Sequence, residues 1–133
     1  MSYDVVMGSP VISLKAGEAL AANRVVKLDT TAGQVIYPTN DADIPFGVTT
    51  GSAAINTSVG VAIGGVMKIR TAGAVALNAR VSISGTTGSV DDTADGTVGT
   101  KYVGLSMEAS GEAGVEIPVA LTLPGVHEDG GAA

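Results

Sequence analysis

Apolar and polar residues alternate along most of this chain, in short runs broken by glycine-bearing turns. Val11 to Ala16 sets the pattern: Ile12, Leu14 and Ala16 fall on one face, Ser13 and Lys15 on the other. A period of two over such a length predicts a half-buried strand. Arg24–Asp29 follows with Val26 and Leu28 inward. Thr30-Thr31-Ala32-Gly33 then turns the chain, and Gln34–Tyr37 returns antiparallel. Further strands are expected over Phe46–Thr50, Val59–Ile63, Val66–Arg70, Arg80–Ser84, Lys101–Met107 and Val115–Leu121. Gly64-Gly65 reads as a tight turn or bulge. Pro118 cannot donate to a ladder, so its strand is expected to lie at an edge or to carry a bulge. Ala19–Ala22 is long enough for one helical turn and too short to stand as a helix. Polar loops are expected at Pro38–Asp43 and from Val90 through Gly96. About ten short strands with turn signals every 8–12 residues predict an all-β barrel or sandwich.

The pattern is stated twice. Ala16-Gly17, Arg24-Val25 and Thr30-Thr31 recur at one constant offset as Ala72-Gly73, Arg80-Val81 and Thr86-Thr87. Phe46-Gly47-Val48 meets Tyr102-Val103-Gly104-Leu105 with a one-residue slip. Val59, Val61 and Ile63 meet Val115, Ile117 and Val119. Self-similarity at a fixed period marks a duplicated unit. The chain therefore reads as an extended N-terminal arm (1–11) and a single β domain (12–123). That domain holds two weakly repeated units, about 12–66 and 68–123, and a flexible tail (124–133) follows it.

Composition sharpens this picture. Hydrophobic residues make up 45% of the 133, but aromatics only 3%, and Val outnumbers Leu 18 to 7. β-branched side chains fit pleated surfaces and lose rotamer freedom in helices. The core must be thin, built of Val, Ile and Ala, which favours further burial against another surface. With a net charge of -6 and its seven Lys and Arg scattered, the chain lacks the basic stripe a nucleic-acid binder needs. Ile44–Met67 carries no charge, but it holds Pro45 and five glycines, so it predicts uncharged strands and no membrane span. The N-terminus carries Asp4 and no basic residue, unlike a secretory signal.

Catalytic chemistry finds little to work with. The single histidine, His127, stands in the tail, where a general base has no fixed partner. There is no Cys, and no Ser sits in a Gly-x-Ser-x-Gly elbow. Gly60-x-x-x-Gly64-Gly65 lacks the Lys-Ser/Thr of a phosphate loop. Asp91, Asp92 and Asp95 form the best cation candidate, yet the closing Glu of a calcium loop is missing, so no metal site is assigned. Two features fit contact with a partner. One is the arm, where Tyr3, Val5, Val6 and Met7 are apolar without an assigned strand. The other is the pair Arg24 and Arg80, which could bond loop carbonyls or reach a neighbouring subunit, since arginine is enriched at interfaces.

One resemblance runs through these segments. Ala16-Gly17-Glu18-Ala19-Leu20, Arg24-Val25-Val26-Lys27-Leu28, Phe46-Gly47-Val48, and Gly60-Val61-Ala62 before Gly65-Val66 together resemble the capsid cement or decoration proteins of tailed bacteriophages, over most of 12–121. The resemblance implies an all-β, barrel or tulip-like domain that assembles as a homotrimer. It implies the major capsid protein as partner and a place on the outer surface of the head, near three-fold positions. There it would stabilise the mature shell by bridging capsomers, without enzymatic activity or cofactor. On this reading the arm orders on the capsid or on a neighbouring copy, by strand addition. The alternatives are another virion module, such as a tail or fibre component, and a small β-barrel ligand-binding protein.

Overall fold

The computed structural model describes residues 10–93 and 100–126. Among them are ten strands and no helix. The first five are β1 (Val11–Ala16), β2 (Val25–Leu28), β3 (Gln34–Ile36), β4 (Gly47–Thr49) and β5 (Ser58–Ala62). They close a barrel in the order β1-β3-β2-β4-β5. The rest are β6 (Val66–Arg70), β7 (Arg80–Ile83), β8 (Val90–Asp91), β9 (Lys101–Ser106) and β10 (Glu116–Val126). They form a second sheet, β6-β10-β9-β7-β8. The protein is thus all-β, with a closed barrel joined to a sheet.

The two sheets have one pairing scheme. β1 runs antiparallel to β5 and parallel to β3; β6 runs antiparallel to β10 and meets the β8 strand in parallel through the bridge Thr71–Val90. The loop bonds match as well. Gly17 N donates to Val35 O at 2.9 Å, and Ala72 N to Val90 O at 2.7 Å. Leu20 and Ala53 exchange backbone bonds, as do Val75 and Ser110. Bonding thus matches Gly17 with Ala72 and Leu20 with Val75, whereas the sequence echo matches Gly17 with Gly73. The structural offset is shorter than the echo by a single position. Asn23 and Asn78 keep that shorter offset: both take positive φ, 61° and 62°, just before the next strand. Few side chains other than Asn accept that conformation. An extra residue, Ala79, then separates Asn78 from Arg80. Bonding therefore pairs Arg24 with Ala79, so Arg24 and Arg80 do not occupy the same place in the two sheets.

Burial follows from the alternation. Within β2, Val26 turns into the barrel beside Ala16, Leu20, Val35, Val59 and Val61. Its neighbour Val25 takes the opposite face, as successive strand residues must. It joins Val48, Ala62, Met67, Ile69, Val81, Ile83, Val103, Ile117 and Val119 in a cluster drawn from both sheets. The largest fully buried side chains are Met67, three isoleucines and eight valines. Burying one such side chain contributes about 1.5–3 kcal/mol. The halves also share backbone bonds: Val25 N donates to Gly88 O at 2.8 Å and Arg70 N to Asn23 O at 3.0 Å.

Four local expectations change, and the one for Pro118 changes in part. Leu28, expected inward, is 53% exposed at the end of β2. Gly64-Gly65 does not close a hairpin, because β5 belongs to the barrel and β6 to the second sheet; it carries the crossover, with Gly65 at φ 79°. Pro118 lies in a central strand, since β10 pairs with both β6 and β9. Its missing N–H is tolerated because β9 ends at Ser106, and Met107 N needs only the Pro118 carbonyl, at 2.9 Å. The other expectation for this strand, a bulge, holds: the β10 register shifts between Leu121 and Gly125. Ala19–Ala22 forms no helical turn, and Val90 opens a short strand instead of a loop.

Candidate functional site

The carboxylates that sequence reading nominates are engaged in holding loops. Asp91 Oδ1 accepts from the Thr93 hydroxyl at 2.9 Å and the Thr93 amide at 3.3 Å. Asp92 Oδ2 accepts from Ala76 N at 2.9 Å. Asp95 and His127 lie outside the described residues. Among the described residues no three His, Asp or Glu gather as a metal site. Asp41 Oδ1 accepts from Gly85 N at 2.8 Å and so ties a barrel loop to the turn between β7 and β8.

Asp43 is the most constrained of these groups. Partial burial pushes its carboxyl upward, but hydrogen bonds to the ionised form outweigh that effect. They come from the Thr39 amide (2.6 Å), the Thr39 hydroxyl (2.9 Å) and the Asn40 amide (3.1 Å), and Lys27 Nζ adds an ion pair at 3.3 Å. The carboxyl is lowered from 3.8 to about 2.

The Lys27–Asp43 pair stands at the edge of an apolar groove of about 770 Å³. Leu28, Ile44, Pro45, Phe46 and Ile63 line it, together with Lys101. Three of these are exposed large hydrophobics: Ile44 at 57%, Leu28 at 53% and Ile63 at 36%. The groove has the volume of a small-molecule site, which needs convergent polar groups to orient its ligand. Here Lys27 and Asp43 are turned toward each other and toward Thr39, leaving apolar walls. Such a patch fits an apolar segment better than a polar metabolite. Sequence reasoning missed it. The available signal was Ile44-Pro45-Phe46 directly after an acidic loop, where three apolar residues precede a strand of three.

The arginines separate in role. Arg24 Nη1 donates to Thr87 O at 2.7 Å, a loop carbonyl on the other half of the molecule. Arg80 lies over the Tyr102 ring, 5.4 Å from its centroid, at cation–π range. Arg24 precedes β2 of the barrel, whereas Arg80 opens β7 of the second sheet. Tyr3, Val5, Val6 and Met7 lie outside the described residues.

A doubled, valine-cored β body with Asp41, Asp43, Asp91 and Asp92 bonded within its loops and an apolar groove on its surface is a scaffold for contact. A family model described as phage cement protein matches residues 6–121, and the chain belongs to that family. It is a structural protein of the phage virion, located on the outside of the capsid. No curated protein sequence matches the chain. The N base of the head fibre protein gp8.5 of bacteriophage phi29 has a similar fold. Its crystal structure aligns with TM-score 0.69 at 13% identity, covering 90% of this chain and 98% of that one.

Proposed function

We propose that this protein acts as a non-enzymatic cement: it binds the major capsid protein on the outer face of the head and bridges neighbouring capsomers. The family match along 6–121 carries this reading. A protein that binds only the mature shell stabilises it by mass action. A homotrimer at three-fold positions would add linked contacts, raising avidity without any one contact being strong. The division into an arm (1–11), a doubled β body (12–123) and a tail (124–133) belongs to the same proposal. So does contact of Tyr3, Val5, Val6, Met7, Arg24 and Arg80 with the shell or a neighbouring subunit. Arg24 already bonds Thr87, so it serves such a contact only in addition to that bond.

The test is to add purified protein to heads that lack it and follow their disruption by heat. Saturated heads should resist to a higher temperature than bare ones. Equal resistance at full occupancy would reject the cementing role. The likeness to a head fibre base supports a second reading, in which the body anchors a projecting fibre. Electron microscopy of native particles separates the two, since a cement leaves a low knob and a fibre base carries a projection.

A further inference from the structure

We propose that the apolar groove is the seat of residues 3–7 of the same chain. Pro10 is the first described residue. Pro10 O accepts from Ile63 N at 3.0 Å, and Ile63 lines the groove. The chain upstream of Pro10 therefore starts at the groove's rim.

The other walls follow strand by strand. Gly47 stands beside Ile63 on β4, where an added Cβ would come 3.4 Å from the Ile63 side chain. Phe46 N donates to Val26 O at 2.9 Å, placing Phe46 against β2, which carries Lys27 and Leu28. From Pro10 to Leu28 is thus three strand spacings, about 15 Å. Residues 3–9 span about 23 Å when extended, enough to cross the whole groove.

The chemistry is complementary. Residues 3–7 read Tyr-Asp-Val-Val-Met. In an extended segment Tyr3, Val5 and Met7 share one face. That face matches Leu28, Ile44, Phe46 and Ile63. Asp4 is the one charged side chain in residues 1–9 of a chain with net charge -6. The side chain of Lys101, which also lines the groove, has no hydrogen-bond or ion-pair partner among the described residues. Because the segment is tethered at the rim, its effective concentration at the groove is high, and modest contacts suffice to hold it.

The natural chain has no cysteine, so a cross-link can be introduced without background. The full-length double variant Val5→Cys/Ile44→Cys should lose both thiols under mild oxidation and keep the mass of a single chain. The control Val5→Cys/Leu77→Cys, using an exposed leucine on the second half, should keep its thiols. A disulfide between chains, or two surviving thiols in the first variant, overturns the proposal. Hydrogen exchange on the unmodified chain gives an independent check. Amides of residues 4–7 should exchange at least tenfold slower than an unstructured peptide, and Ile44→Asp should restore the fast rate. Unprotected amides in the natural chain would also overturn it. Seated there, Tyr3, Val5 and Met7 reach the shell or a neighbouring subunit only when binding displaces them from the groove. Neither readout involves the capsid, so failure here leaves the cement reading untouched.

Discussion

Thr49 and Ser106 make the same set of bonds in the two halves of the molecule. Arg24 N donates to Thr49 Oγ1 at 3.1 Å, and the Thr49 hydroxyl donates to Ala21 O at 2.7 Å. Ala79 N donates to Ser106 Oγ at 2.9 Å, and the Ser106 hydroxyl donates to Ala76 O. Each hydroxyl is buried, and each pins the loop that turns through a left-handed asparagine, Asn23 or Asn78. A thin core of valines leaves the loops to be fixed by such bonds.

Removing either hydroxyl should therefore cost more than an ordinary surface change. Thr49→Val keeps shape but leaves a partly buried amide and carbonyl without their partner, a loss of about 1 kcal/mol or more. Ser106→Ala should fall in the same range. Urea denaturation of each variant measures it. A change within about 0.5 kcal/mol for both, as expected of surface substitutions, would mean the loops are held by packing alone.

Two glycines of one turn should respond differently to alanine. Gly85 and Gly88 both have positive φ, 80° and 76°, a conformation that costs an L-residue about 1–2 kcal/mol. Nothing lies within 4 Å of an added Cβ at Gly85, whereas at Gly88 it would sit 2.6 Å from Val25 O and 2.8 Å from Arg24 Cβ. Gly88→Ala should lower stability by clearly more than Gly85→Ala, because it also pushes apart the halves joined by the Val25–Gly88 bond. Equal losses in thermal denaturation would contradict that account.

Asp43 gives a pH signature. Its carboxyl is at about 2 in the folded protein against an ordinary 3.8. The folded state therefore holds fewer protons on it than the unfolded chain between those values. Its stabilisation is present in full above about pH 4 and is lost as pH falls toward 2. Asp43→Asn should be less stable than the natural protein at pH 6, and the difference should shrink near pH 2. A constant difference across that range would show that charge plays no part.

The strands were legible because alternation is a local signal. Val11–Ala16 and Val66–Arg70 read directly as strands and are β1 and β6. The all-β class, and the barrel as one of its two forms, followed from the same pattern. Which strands close a barrel was not legible, because pairing depends on contacts far along the chain. Gly64-Gly65 read only as a tight turn or bulge for that reason, and its role as the crossover between the sheets stayed hidden. The match of Arg24 with Arg80 failed because identity at one position outweighed the asparagines that fix the backbone. The groove was hidden too: Leu28, Ile44 and Ile63 come from three separate segments, and only folding puts them on one surface.

Co-sedimentation with mature heads that lack this protein, followed by imaging of the pelleted particles, tests the central claim most directly. Saturable binding is expected, with density on the outer surface at fixed lattice positions between capsomers. Protein left in the supernatant at micromolar concentration, or density confined to a single vertex or the tail, would contradict it.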